Sequence, residues 1–102
     1  MNEISKTSIL NHITRIKPFL TSTFGVNRIG LFGSYATNNA THASDIDLLV
    51  EFKSEIHLSY KQWLELESYL QEQLAFTKIE LIDSRYLNPI IRLSSKDSTI
   101  YV

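Results

Sequence analysis

The segment that most restricts the fold is Asp45-Ile46-Asp47-Leu48-Leu49-Val50-Glu51-Phe52. Successive side chains of a strand point to opposite faces, so a strand with one wet face alternates apolar and polar residues. Leu48-Leu49-Val50 does not alternate, which predicts a strand covered on both faces. A chain that contains such a strand must build a sheet around it and pack helices or loops on that sheet. With 102 residues there is material for one domain, and residues 1–102 are read as a single unit.

The flanking sequence supplies the cover. Ile9, Ile13, Ile16 and Leu20 recur at helical spacing. Pro18 is expected to break that helix and to start a second short one over residues 18–24, which Gly25 ends. Val26 to Phe32 reads as a second buried strand. Gly33-Ser34 follows at once, then a short helical stretch and a polar loop reaching Ala43. Trp63, Leu66, Leu70 and Leu74 mark one face of a helix from about Ser59 to Leu74. Thr77 to Asp83 reads as a third strand and Ser84 as the cap of a turn or short helix. Pro89 opens a further helix through about Ser95, and Ser98 to Val102 closes the chain as a fourth strand. The expected class is α/β, a small mixed sheet with helices packed on it.

Asp45 and Asp47 are two apart in a strand, so their side chains share one face while Ile46 points into the core. Their Cα atoms should lie roughly 7 Å apart, near enough for both carboxylates to meet at one site. Paired carboxylates repel unless a cation joins them. Magnesium, which takes oxygen ligands and keeps substrate phosphate in its shell, is the natural candidate. Two such ions about 3.5–4 Å apart can stabilise both the attacking and the leaving oxygen of a phosphoryl-type transfer. Glu80, between Ile79 and Leu81, faces opposite to both and becomes the third carboxylate, as a metal ligand or as the base for an attacking hydroxyl. Gly33 lets backbone approach a phosphate, and Ser34 adds a hydroxyl donor at the start of the following helix.

Each feature also has a plainer meaning. Asp-x-Asp alone is a solvated strand start, Gly-Ser alone a tight turn and cap, and a lone glutamate in a strand an edge residue. Their order along the chain is what joins them. His12, His42 and His57 lack metal-ligand spacing. Tyr60 and Trp63 read as helix packing rather than a stacking platform, and Tyr35 is set aside. Ser34 has no partners for nucleophilic catalysis. Neither a Walker loop nor a dinucleotide-binding glycine turn is present.

Composition narrows the function further. The ten Lys and Arg are scattered and the net charge is -1, so the basic surface that grips a long nucleic acid is missing. Cysteine is absent, which removes thiolate metal sites and suits a reducing cytoplasm. No apolar run approaches membrane-spanning length.

Leu31-Phe32-Gly33-Ser34, ten intervening residues, then Asp45-Ile46-Asp47-Leu48-Leu49-Val50 resembles the Gly-Ser-x10-Asp-x-Asp signature of the DNA polymerase β-like nucleotidyltransferase superfamily. The compact length is similar to the minimal nucleotidyltransferases, which include antitoxins paired with HEPN-domain ribonuclease toxins. The resemblance implies a polymerase β palm-like fold, with Gly33 and Ser34 on a triphosphate and Asp45, Asp47 and Glu80 as catalytic metal ligands. It implies two magnesium ions, ATP as substrate, and transfer of AMP to a hydroxyl, a tyrosine of a HEPN toxin. Close relatives commonly read Gly-Ser-x-Ala-Arg-Gly where this chain has Gly33-Ser34-Tyr35-Ala36-Thr37-Asn38. That departure motivates a second reading, a degenerate member that neutralises its partner by contact alone. Transfer to a small molecule is a weaker third, since the chain is short for a dedicated acceptor domain. A homo- or hetero-oligomer is compatible with each.

Overall fold

In the computed structural model of this chain, residues 5–37, 40, 44–75, 77–86 and 99–102 are described. Helix α1 spans Lys6–Phe24 without interruption, and Pro18 lies inside it. The expected break is therefore corrected to one continuous helix. Proline removes the N–H that would bond the carbonyl of Thr14 and costs about 3 kcal/mol in a helix interior. Against that stand Leu20 and Phe24, 0% and 9% exposed, which continue the face begun by Ile9 and Ile13. Burying two such side chains stabilises by about 1.5–3 kcal/mol each, so packing overrides the local preference. Pro18 itself faces solvent, where its ring displaces nothing.

The helix ends follow local rules. Ser5 and Ser8 cap each other's backbone N–H groups at 3.1 and 3.0 Å. Gly25, at φ 75°, closes the C-terminus with its N–H on Thr21 O at 3.1 Å. Helix α2, Tyr60–Gln73, is capped by Ser59 and Gln62 in the same reciprocal way. Leu66, Leu70 and Leu74 from this region are fully buried, as the stripe predicted, and Trp63 packs at the margin against Phe52 with ring centroids 6.3 Å apart. Tyr60 projects into solvent.

The sheet has strands β1 Val26–Phe32, β2 Ile46–Phe52, β3 Ile79–Asp83 and β4 Ile100–Tyr101, in the order β3-β2-β1-β4. β1 runs antiparallel to β2 and to β4, whereas β3 lies parallel to β2 across the α2 crossover. It is thus the expected mixed sheet. Leu48, Leu49 and Val50 are 0%, 4% and 0% exposed, so β2 is covered on both faces. One expectation is trimmed: the segment after Gly33-Ser34 is a hydrogen-bonded turn over residues 33–37, not a helix within the described residues. Ser84–Tyr86 is the expected short element, a single 3-10 turn. The helix expected over 89–95 lies outside the described residues. Among the described residues no helix is long and apolar enough to cross a membrane.

Candidate active site

Sheet register brings the acidic residues together. In the parallel pair, Asp47 stands directly beside Glu80, flanked by Ile46 beside Ile79 and Leu48 beside Leu81. On the other side Asp47 faces Phe32, the last residue of β1, so that Gly33 begins immediately past it. Asp45 sits one residue before β2. Ile46 and Leu48 are fully buried, whereas Asp45 and Asp47 are half-buried and Glu80 is exposed. The alternation read from the sequence therefore holds for all three carboxylates.

Electrostatics tie the three into one group. The Asp47 carboxyl is pushed up to about 6, first by partial burial, then by a hydrogen bond and charge from Glu80, and last by the charge of Asp45. Each of these influences opposes a second negative charge at this point, and a cation between the carboxylates would offset it. Among the described residues no three acidic or histidine side chains close around a single point. Asp47 is instead the shared member, with Glu80 in hydrogen-bond reach and Asp45 acting on it through charge. The donors are all oxygen, mutually repulsive and partly desolvated. That chemistry suits a hard divalent cation whose remaining positions are taken by water and phosphate.

Gly33 has a tighter role than phosphate approach. Its φ is 76°, in the left-handed region that side-chain-bearing residues avoid. A Cβ added there would overlap Asp47 Oδ2 and lie 3.1 Å from Asp47 Cγ, so the missing side chain is what admits the carboxylate. The turn that follows is closed by Ala36 and Thr37 N–H groups on Gly33 O, at 3.1 and 3.2 Å. Tyr35 and Ala36 anchor it, 7% and 8% exposed within the core. Ser34 remains half-buried beside Gly33. The Thr37 hydroxyl donates back to Gly33 O at 3.2 Å, stiffening the turn without adding charge.

Other sequence candidates fall elsewhere. His12 bonds Gln73 between the two helices at 2.9 Å, and His57 lies 3.3 Å from Arg85 near the far end of β3. His42 lies outside the described residues. One residue that pattern reading passed over is Gln71, whose carboxamide bonds the backbone just ahead of Glu80. Its only sequence signal is a polar residue next to the apolar stripe of α2, which is common on any helix.

Comparison with known proteins identifies the family and the fold. Residues 14–99 match the family profile described as Polymerase beta, Nucleotidyltransferase. The protein adenylyltransferase MntA of Thermococcus cleftensis is 37% identical over 90 residues, covering 88% of each chain. A relative from Methanocaldococcus jannaschii, whose name assigns protein adenylyltransferase activity provisionally, is 39% identical over 84% of this chain and 86% of its own. Among solved structures, one provisionally named a minimal nucleotidyltransferase superposes with TM-score 0.78 at 23% identity over 98% of both chains. A complex of tri-AMPylated Shewanella oneidensis HEPN toxin with MNT antitoxin gives TM-score 0.61 at 24% identity, over 90% of this chain and 68% of that one. At such identities the structures speak for the fold.

Proposed function

The chain belongs to the polymerase β nucleotidyltransferase family, and from that membership we propose that it transfers AMP from ATP to a tyrosine hydroxyl of a HEPN-domain toxin, acting as its antitoxin in the cytoplasm. The observation that carries the reading is the Asp47–Glu80 pair set against Gly33, with Asp45 beside it. The relatives suggest the acceptor class: the Thermococcus protein is a protein adenylyltransferase, and the Shewanella complex holds an AMPylated HEPN toxin with its MNT partner. Residues 1–102 are taken as one such domain.

In this reading Asp45, Asp47 and Glu80 would hold magnesium, which when bound would supply positive charge against the triphosphate. Gly33 and Ser34 give the triphosphate a backbone surface free of side-chain bulk and a hydroxyl donor. The acceptor oxygen attacks the α-phosphorus, the bond to the β-phosphate oxygen breaks, and pyrophosphate departs. The hydroxyl proton passes to a carboxylate of the site. Glu80 is the member most open to an incoming acceptor, being exposed where Asp47 is half-buried.

The test is label transfer with the partner toxin or native lysate as acceptor, using α- or γ-labelled ATP with and without magnesium. Magnesium-dependent protein labelling from the α-phosphate alone, lost in Asp47→Asn, is the expected outcome. Equal labelling by Asp47→Asn would exclude this site.

Thr37 favours a second reading. It stands where the resembling motif commonly has arginine, and its hydroxyl bonds Gly33 O within the turn. A chain that silences its partner by contact alone would bind it equally well without magnesium or ATP, and after substitution of Asp45 and Asp47. Loss of binding in those variants would remove this alternative.

A further inference from the structure

Among the described residues β3 is an edge strand, with β2 as its one strand neighbour. At the start of β3 a side chain bonds the backbone along the opposite edge. Gln71, in the last turn of α2, donates from Nε2 to Thr77 O at 2.9 Å and accepts at Oε1 from Ile79 N–H at 3.0 Å. A residue of a neighbouring parallel strand would bond the same two groups, the carbonyl before and the N–H after residue 78. On the inner edge, Ile46 N–H bonds Lys78 O at 2.9 Å, so residues 77–79 are held alternately from the two sides. The Thr77 hydroxyl adds a bond to Ser44 O at 3.3 Å, one residue ahead of Asp45.

We infer that Gln71 is a positioning residue of the transfer site: its half-buried carboxamide fixes the height of β3 against β2 and so keeps Glu80 level with Asp47. Glu80 directly follows Ile79, whose N–H Gln71 holds, and a strand end is where pairing frays most readily. Without this clamp the exposed Glu80 carboxylate is free to drift along β2, while Asp47 stays fixed by its place in the sheet centre. The Gln71 carboxamide bonds backbone at Thr77 and Ile79. It acts through the position of Glu80, and the inference rests on the proposed role of Asp45, Asp47 and Glu80.

The experiment measures Mn2+ affinity of the whole chain by isothermal titration, without nucleotide or transfer, for the parent and for Gln71→Met, Glu80→Gln and Gln73→Met. Gln73→Met is the control, because it removes an amide bond from the same helix turn that leads to His12 rather than to β3. Glu80→Gln and Gln71→Met should each weaken Mn2+ binding about tenfold or more, the usual loss when support behind a metal ligand is removed. Gln73→Met should bind as the parent does. Should Gln71→Met fail to fold, Gln71→Glu keeps the acceptor for Ile79 but sets an anionic oxygen against Thr77 O in place of the donor, and weakened binding is again expected. Parent-like binding by the Gln71 variants with weakened binding by Glu80→Gln overturns the inference and leaves the site standing. Equal weakening by Gln73→Met also overturns it, as general loosening of α2. Parent-like binding by Glu80→Gln removes the metal-site reading, and the role of Gln71 falls with it.

Discussion

Asp47→Asn should make the metal-free protein more stable while it abolishes transfer. The carboxyl rises from 3.8 to about 6 on folding, so the folded state holds its proton more tightly than the unfolded chain does. A raised acid destabilises the fold wherever it is ionised. The penalty is in full force above about pH 6 and fades as pH falls towards the unfolded value. Each unit is worth about 1.4 kcal/mol, which sets a ceiling near ~3 kcal/mol. Asp47 is only partly buried, and solvent screening brings the expected gain to about 1–2 kcal/mol. Asparagine keeps the size of the side chain and can donate its amide N–H to Glu80, so the substitution removes charge without orphaning its neighbour.

For a domain of this size that gain corresponds to a rise in Tm of roughly 5–10 °C at pH 8 in EDTA. The assay is thermal or urea unfolding of parent and variant at pH 8 and at pH 4, with EDTA or with magnesium. At pH 4 most of the difference should vanish, because the parent carboxyl is protonated in its folded state. Magnesium at pH 8 should stabilise the parent and leave the variant unmoved, since a ligand stabilises only the state that binds it. A variant no more stable than the parent at pH 8 in EDTA would refute the electrostatic reasoning. A gain that persists undiminished at pH 4 would do the same.

Gly33→Ala must hold a positive φ and push Asp47 aside, costing about 1–2 kcal/mol from backbone conformation alone. Displacement of the carboxylate should lower transfer about 100-fold or more, and urea melts with labelling assays on one preparation separate the two effects. Pro18→Ala should stabilise the protein by about 1–3 kcal/mol, because it restores the N–H to the α1 ladder at an exposed position. Unchanged or lower urea stability would mean that the helix accommodates the ring at no net expense.

The parts of the site set by local geometry were legible in the sequence. Two-residue alternation is enough to turn Asp45 and Asp47 to one side of β2 with Ile46 and Leu48 in the core, and to turn Glu80 away from Ile79 and Leu81. The level at which Glu80 meets Asp47 is set by register. The two serine caps and Gly25 are equally local. Features decided by distant contacts were not legible. Pro18 argues for a break, and only the burial of Leu20 and Phe24 against the sheet decides otherwise. Gly33 reads as a generic flexible turn until register places Asp47 against it. Gln71 is indistinguishable from other helix glutamines until β3 arrives beside it.

Register also explains why the motif takes the form of a spacing. From Gly33 the chain must return and enter β2 so that Phe32 meets Asp47, and the interval matters because it permits that pairing. A slip of one residue along β2 would turn Asp47 inward and bring Leu48 to the site. That slip would bury a carboxylate among apolar side chains, at a cost of several kcal/mol, while exposing a side chain that is now fully buried. Ile46, Leu48 and Val50 thus do more than fill the core. By making a one-residue slip of β2 expensive, they fix the face on which Asp47 meets Gly33 and Glu80, and the site inherits that orientation from the packing beneath it.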